Sequence, residues 1–428
     1  MKKLSYLSCI AACFVVLGQC ASAADAPRTG PLSLQDCIKV ALQNQIDVLT
    51  AQTNVVTAKS RAVQATSSYF PQLSIQNNAF QWGSQSVLSR TTLGTALSVN
   101  QSFFDGGLRE ANVASARYGV KQNTAELGRT TQTVAFNVTK AYYDVLRSKR
   151  LAEVAEANVK YTEELKKQVQ TRAELGDAAQ VDVLPVEAQL ATAQVNLLSA
   201  NNTVRTSSLS LQSGMGLSPE TGFDIADVAT VSEPTIGILQ EYVKEAEGGR
   251  PDVAATQASS GSARASVRSA RASLWPRPVI TGQYQRQISG GFTSSGGQVI
   301  GGFAFDLFNG GANRAAYQEA EAQQLNAEQR EKQIYKDIQV QVEEAYLNLT
   351  SSKDRLAASE TSLAASQKNY DVQKERYNQG LAITLDLLNA ELQLTTAQTN
   401  EVQARYDYYT AISQMEYAVG KQGGVNAN

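Results

Sequence analysis

Two hydrophobic patterns alternate along this chain of 428 residues, and they predict two kinds of element. Residues 108–175 and 312–379 contain no proline and repeat apolar positions at helical spacing, which indicates two very long helices. The apolar seam of the second helix comprises Ile334, Ile338, Val342, Ala345, Leu349 and Leu356. At about 1.5 Å per residue each helix would be about 100 Å long. We therefore expect coiled-coil hairpins in which a second helix returns from a glycine turn.

Four shorter segments alternate with a period of two, which is typical of β-strands. They are residues 72–82, 93–103, 278–288 and 299–307, and the first of each pair alternates less cleanly. Segments of about 10 residues with one apolar face match transmembrane β-strands. Aromatic residues stand at their ends, where a membrane interface would lie: Trp82, Phe104, Trp275 and Phe308. A small soluble sheet packed on helices is the alternative interpretation.

The same order of predicted helices and strands occurs twice along the sequence. Phe-Asp-Gly-Gly at residues 104–107 recurs 204 residues later as Phe-Asn-Gly-Gly, and Gly176 and Asp182 recur as Gly380 and Asp386. We therefore expect two structural repeats, about 32–216 and 235–420, joined by an intervening segment at about 217–249. Each repeat is predicted to begin with one helix, over residues 32–69 or 250–274, and each of these helices ends before a proline.

The N-terminus has the features of a bacterial secretory signal. Two lysines precede a mostly apolar stretch over residues 4–18, and Ala-Ser-Ala follows at residues 21–23. We predict a signal peptide over residues 1–23 and one elongated protomer over 24–428. Lipidation at Cys20 is the alternative, because residues 17–20 resemble a lipobox. No other segment approaches about 20 consecutive apolar residues, so no transmembrane helix is expected.

Composition narrows the possible functions. A net charge of −2 gives no reason to expect a nucleic-acid partner. The chain has no histidine and three methionines, which removes the commonest general base and zinc ligand and argues against a copper or silver site. No P-loop motif is present. We expect no enzyme activity, no cofactor and no metal site.

If the four strands cross a membrane, the chain cannot act alone. Outer-membrane barrels need about 8 strands or more, and an open strand edge in lipid leaves backbone groups without partners. Several chains must then share one barrel. Oligomerisation is thus a deduction that depends on membrane insertion.

The strand pairs, long hairpins and duplication together resemble the outer-membrane efflux channel family, the TolC-like outer membrane factors, over about residues 32–420. The most specific part is a motif at the hairpin turns. It reads Arg-Ala-Glu-Leu-Gly at 172–176 with Asp-Val-Leu at 182–184, and Arg-Tyr-Asn-Gln-Gly at 376–380 with Asp-Leu-Leu-Asn-Ala at 386–390. The chain departs from the family pattern at its Ser/Thr position, where it has Ala179 and Ile383.

The resemblance implies an α+β membrane protein that is a homotrimer. Three chains with four strands each would form a 12-stranded β-barrel that continues into a long α-helical coiled-coil barrel. It implies an exit duct in the outer membrane, extending through the periplasm, for a tripartite efflux pump or a type I secretion system. The implied partners are outer-membrane lipid, a periplasmic adaptor and an inner-membrane transporter. A soluble periplasmic coiled-coil adaptor or structural protein is the alternative.

The resemblance also implies site residues at the turns. Asp386 matches a carboxylate ring at the periplasmic entrance, and the next ring position is the uncharged Asn389. Tyr377 and Asp182 match a tyrosine–aspartate hydrogen bond that holds the entrance shut, whereas a family arginine of the same lock falls at Ala382. Both aspartates also suit the first turn of a helix. The residues expected to form the turns and to contact the adaptor are Gly176, Gly380, Arg172, Arg376, Leu184 and Leu388.

Overall fold

The computed structural model describes residues 31–78, 94–176, 179–219, 223–227, 236–289 and 292–421. A helix pair, a strand pair, a long helix and a returning helix follow one another, and the same order then recurs. The first set is α1 (Leu34–Asn44), α2 (Ile46–Ser67), β1 (Gln72–Asn78), β2 (Gly94–Ser102), α3 (Leu108–Leu175) and α4 (Val183–Gly214). The second set is α5 (Leu239–Gly249), α6 (Pro251–Ala272), β3 (Arg277–Ser289), β4 (Phe292–Ala304), α7 (Ala312–Asn378) and α8 (Thr384–Val419).

The two long helices have the predicted extents. α3 has 68 residues and α7 has 67, so each is about 100 Å long. Gly107 and Gly311 precede them with φ angles of 88° and 85°, a left-handed conformation that favours glycine. The predicted seam of α7 is confirmed, because Ile338, Val342 and Leu349 are buried in one cluster with residues of α8.

The prediction of one helix at the start of each repeat is confirmed for residues 250–274, which form α6, and is wrong for residues 32–69, which are broken into α1 and α2. The sequence did not predict α5, which precedes α6. Gln45 separates α1 from α2 with an extended backbone, and its side chain accepts a hydrogen bond from the N–H of Ile46 at 3.2 Å. Arg250 separates α5 from α6 in the same way. It precedes Pro251, which disfavours helical backbone at the residue before it and then begins α6.

The four strands form one antiparallel sheet in the order β1-β2-β3-β4. β2 pairs with β3, with Val99 opposite Tyr284, so this pairing joins the two repeats. Within the described part of the chain, β1 and β4 each pair on one side only. β4 begins at Phe292, earlier than the predicted residue 299, and the predicted end of the first strand, including Trp82, lies outside the described residues.

The helices pack around α3, which contacts α2 and α6 near the sheet and α4 and α8 further along. A short segment, residues 223–227, is fixed to the middle of α3. Its Ala226 donates a backbone hydrogen bond to Leu32 at 2.9 Å, and the hydroxyl of the buried Tyr142 donates to the carbonyl of Ala226 at 2.5 Å. Lys149 binds Asp224 at 2.7 Å. These contacts attach residues 223–227 to the helix bundle.

Candidate functional site: the helical turns

The turn of the second hairpin is closed by a Schellman motif. Gly380, with φ of 74°, donates its N–H to the carbonyl of Tyr377 at 3.1 Å, and Leu381 donates to the carbonyl of Arg376 at 2.8 Å. The turn of the first hairpin begins at Gly176, with φ of 83°. In that turn a carboxylate oxygen of Asp182 accepts from the N–H of Ala179 at 3.3 Å. Both predicted glycines therefore act as left-handed helix ends.

The first turn of α8 points two polar side chains away from the protein core. Asp386 and Asn389 are exposed and three residues apart, so they share one face of the helix. Leu387 and Ala390, which alternate with them, are buried. The carboxylate and the amide thus project together from the hairpin end, and their role at an entrance stays a prediction.

Beneath the two turns lies one small hydrophobic core shared by both hairpins. α3, α4, α7 and α8 all contribute to it, through Leu165, Val169, Val186, Tyr370, Tyr377, Leu387, Ala390 and Leu394. Tyr377 is 3% exposed, and Leu388 packs against the cluster from its edge. The ends of the two hairpins are therefore held side by side within one chain.

Tyr377 and Asp182 both lie at the turns, but among the described residues they are not hydrogen-bonded to each other. Arg172 contacts Tyr377 instead. Its guanidinium lies 4.4 Å from the centre of the Tyr377 ring, and one nitrogen donates to the Tyr377 carbonyl at 3.1 Å. Arg376 donates to the carbonyl of Leu381, in its own turn, at 3.4 Å. The tyrosine–aspartate hydrogen bond stays a prediction.

An apolar rim surrounds the polar face at this end of the molecule. Leu184 is exposed, and so are large apolar side chains on both turns: Leu175, Val181, Leu381, Ile383 and Leu385. Exposed apolar groups in one place are typical of a surface that binds another protein. Of the residues that the resemblance implies for adaptor contact, Leu184 belongs to this rim, and the contact itself stays a prediction.

The sequence did not predict a buried carboxyl between the hairpins. Glu391 of α8 is 4% exposed and accepts a hydrogen bond from the hydroxyl of Thr162 of α3 at 2.9 Å. Burial raises the pKa of Glu391, and the Thr162 hydrogen bond opposes this effect without cancelling it. The corresponding Glu187 of the first repeat instead binds Lys166 at 3.0 Å. Comparison of the two repeats pairs Glu187 with Glu391, but only the structure shows that their environments differ.

At the opposite end, three of the predicted interface aromatics flank the sheet. Trp275, Phe104 and Phe308 are all exposed, with Phe308 at 89%, and they lie where strands meet helices. The strands expose further large apolar side chains: Leu73, Ile75, Ile280, Val299, Ile300 and Phe303. None of the helices in the described ranges is long and apolar enough to cross a membrane.

A model of the family described as "Outer membrane efflux protein" matches residues 37–217 and 242–421 of this sequence. The chain belongs to the outer membrane efflux protein family. The match covers both repeats and includes the two hairpin turns. It places the protein in the bacterial outer membrane.

Relatives of this efflux protein are distant but span most of its length. The outer membrane efflux protein BepC of Brucella suis is 25% identical over 402 residues, covering 92% of this chain and 87% of BepC. The outer membrane protein TolC of Vibrio cholerae is 22% identical over 316 residues, covering 72% of each chain.

Solved channels share the fold. The outer-membrane channel OprN superposes with a TM-score of 0.79 at 19% identity, covering 91% of this chain and 90% of OprN. The open state of the Neisseria gonorrhoeae MtrE outer membrane channel superposes with a TM-score of 0.78 at 19% identity, covering 91% of this chain and 89% of MtrE. At this identity the likeness shows the fold alone.

Proposed function

We propose that this efflux protein is a passive exit duct, which carries substrates from a periplasmic adaptor and an inner-membrane transporter across the periplasm and the outer membrane. The observation that carries the proposal is the continuity of an apolar-faced sheet with two helices about 100 Å long, each of which ends in a hairpin turn. Transport energy comes from the transporter, and the duct itself catalyses no reaction. Its partners belong to a tripartite efflux pump or a type I secretion system.

The open sheet supports a homotrimer. β1 and β4 each offer an unpaired edge within the described chain, and such an edge in lipid requires a partner strand. Three chains with four strands each close a 12-stranded barrel. Exposed apolar residues along the outer helices supply the matching helical interface: Val195, Leu198 and Leu209 on α4, and Leu325, Val340 and Leu347 on α7. Each protomer comprises two repeats, about 32–216 and 235–420.

The turns form the periplasmic entrance in this proposal. Three copies of Asp386 converge on the trimer axis and attract cations, as carboxylate rings do in other channels. Asn389 lies on the same face and adds no charge. The apolar rim with Leu184 binds the adaptor, and Phe104, Trp275 and Phe308 lie at the membrane interface.

Single-channel recording in a planar lipid bilayer tests this function. The purified protein should give discrete current steps with a preference for cations. Asp386→Ala should weaken that preference, whereas Asn389→Ala, a truncation on the same face without loss of charge, should preserve it. Folded trimer that gives no steps would contradict the duct and favour a soluble coiled-coil protein. Steps with the same selectivity in Asp386→Ala would contradict only the carboxylate ring.

A further inference from the structure

The end of α6 that leads into the sheet has a row of exposed arginines. Arg264, Arg268 and Arg271 are spaced by four and three residues, so they share one face of the helix. Trp275 follows four residues after Arg271, is 65% exposed and stands two residues before the start of β3. The row therefore ends where the helices meet the sheet.

Two of these arginines have no ionic partner in the described part of the chain. Arg264 binds Glu328 of α7 at 3.3 Å. Arg268 and Arg271 form no ion pair with any described residue, and together with Trp275 they line an open cavity of about 350 Å³. A guanidinium presents several N–H donors in a planar fork, which matches the oxygens of a phosphate group. The cavity thus combines two available cations with an exposed indole.

The arginine row lies on the side of the helix layer that carries α5. Gln339 of α7 lines a cavity against α5, and Glu328 precedes Gln339 by 11 residues, which is about three helical turns. Glu328 and its partner Arg264 therefore lie on that same side. In the proposed duct this side is the outside, because a further helix on the inner side would occupy the lumen. Arg268 and Arg271 then project away from the lumen.

The sheet has one apolar face and one polar face next to this junction. Leu73 lies opposite Val99, and Val99 lies opposite Tyr284, so these three side chains share one face. On the other face the amide of Gln298 donates to the side-chain oxygen of Gln283 at 2.9 Å. The apolar face must contact lipid if the sheet crosses a membrane. Lipid chains on that face bring their headgroups to the level of the arginine row.

The first repeat supplies an internal comparison. α2 begins at residue 46 and α6 at residue 251, so their positions match at an offset of 251 − 46 = 205. The positions of Arg268 and Arg271 are occupied in α2 by Val63 and Thr66, which carry no charge. The pair of available arginines therefore occurs in α6 and not at the matching positions of α2. A ligand that needs both cations has one site in each protomer.

We propose that Arg268, Arg271 and Trp275 bind the headgroup phosphate of an anionic phospholipid in the periplasmic leaflet of the outer membrane. This inference rests on the proposed duct, whose sheet crosses that membrane. Arginines beside a membrane-spanning segment attract anionic headgroups, and tryptophan favours the headgroup level. The bound phosphate supplies the partner that the two guanidinium groups lack within the described chain. The site fixes the depth at which the end of the sheet lies in the membrane.

Native mass spectrometry of the purified trimer in a neutral detergent tests the site. Arg268→Gln with Arg271→Gln is compared with Arg330→Gln with Arg355→Gln, which removes two exposed arginines of α7 further from the sheet. Wild type should bind one phosphatidylglycerol per protomer. The first double variant should bind it about 30-fold more weakly, which equals about 2 kcal/mol at about 1 kcal/mol for each cation. The control should bind as wild type does, and equal binding by the first double variant would overturn the site.

Two probes separate a lipid from a free anion. Dioleoylglycerol has lipid chains without the phosphate and should not bind at this site. Inorganic phosphate in excess should not displace phosphatidylglycerol, because it lacks the chains that lie on the sheet. Displacement by inorganic phosphate would show a site for a free anion and overturn the lipid, and equal binding of dioleoylglycerol would overturn the role of the phosphate.

Tryptophan fluorescence gives a readout of depth. The chain has two tryptophans, so Trp82→Phe leaves Trp275 as the single one. In vesicles, lipids with bromine near the headgroup should quench Trp275 more strongly than lipids with bromine near the chain end. Absence of quenching by both lipids would overturn the placement of this junction at the membrane surface.

Single-channel recording distinguishes failure of this site from failure of the duct. The Arg268→Gln, Arg271→Gln variant should give wild-type current steps with wild-type ion preference, because its arginines face lipid. A changed ion preference would place them in the lumen and overturn the lipid site while leaving the duct standing. Absence of steps from the wild type itself would contradict the duct, on which this inference depends.

Discussion

The junction between α5 and α6 contains a buried ion pair whose loss should destabilise the whole protomer. The side chain of Arg250 is 1% exposed and makes a two-pronged contact with Asp252, at 3.1 and 2.6 Å. It also donates to Gln341 of α7 at 2.9 Å and to the carbonyl of Ala418 near the end of α8 at 3.0 Å. One guanidinium therefore links three helices of the second repeat.

Arg250→Met retains much of the apolar volume but leaves Asp252, Gln341 and the Ala418 carbonyl without their donor. Breaking a buried ion pair on one side costs about 3–5 kcal/mol. Arg129 remains 3.6 Å from Asp252 and still offers it a positive charge. We therefore expect a loss of unfolding free energy at the lower end of this range, about 3 kcal/mol. Adding Asp252→Asn should recover about 1 kcal/mol or more, because a neutral amide needs no cation.

Guanidinium unfolding in detergent, followed by far-UV circular dichroism, measures these differences. The control is Lys160→Met, which removes an exposed pair with Glu156 and should leave the unfolding midpoint unchanged. If Arg250→Met were as stable as the wild type, the argument that buried groups without their donor are costly would be refuted. Simple addition of the two losses in the Arg250→Met, Asp252→Asn double variant would show that the pair is not coupled.

Three further predictions follow from local geometry. The pKa of Glu391 is raised in the folded chain, so protonated Glu391 favours the folded state. This stabilisation is fully present below the ordinary glutamate pKa of about 4.3 and is lost as pH rises through the pKa of Glu391 in the folded chain. Glu391→Gln should therefore be more stable than wild type at neutral pH, and a gap that fails to close on acidification would contradict this. Gly216→Ala should lower the thermal unfolding midpoint more than Gly176→Ala does. Both glycines have positive φ, but only at Gly216 would an added Cβ lie 2.8 Å from the backbone of Asn44. Equal losses in the two variants would contradict this clash. Burial raises the pKa of the fully buried Cys37 to about 12, so iodoacetamide should modify it quickly only after denaturation, and rapid labelling of folded trimer would count against its burial.

The long elements could be predicted from the sequence because their boundaries have a local cause. α3 and α7 begin after glycine pairs and contain no proline, so their ends agree with the structure to within about a residue. The break at Gln45 has no such signal, since neither glycine nor proline stands there and the glutamine caps the following helix itself. The early start of β4 was missed because glycine, serine and threonine obscure the alternation over 292–298.

The candidate site likewise contains features that the sequence predicts and contacts that only the structure shows. The resemblance pointed to Asp386 and Asn389, and their spacing of three residues explains why they share one exposed helix face; the glycine turns follow from motif position. The contacts of Arg172 and Glu391 depend on which helix of the other hairpin lies beside them. Sequence spacing within a repeat contains no information on that neighbour, so only the packed structure could assign these partners.

The duplicated hairpins do not have equivalent surroundings, and this difference determines which of their contacts are directional. Within a chain α3 lies against α8, so matched residues there face another hairpin, whereas α4 and α7 present exposed apolar side chains such as Val195 and Val372. Apolar contacts have no fixed direction, and a junction built from them tolerates small sliding. The α3–α8 side instead has directional bonds, from Thr162 to Glu391 and from Arg172 to the end of α7. Separation of the two hairpins within a chain must therefore break specific hydrogen bonds, whereas sliding of the exposed apolar faces of α4 and α7 against another surface need not.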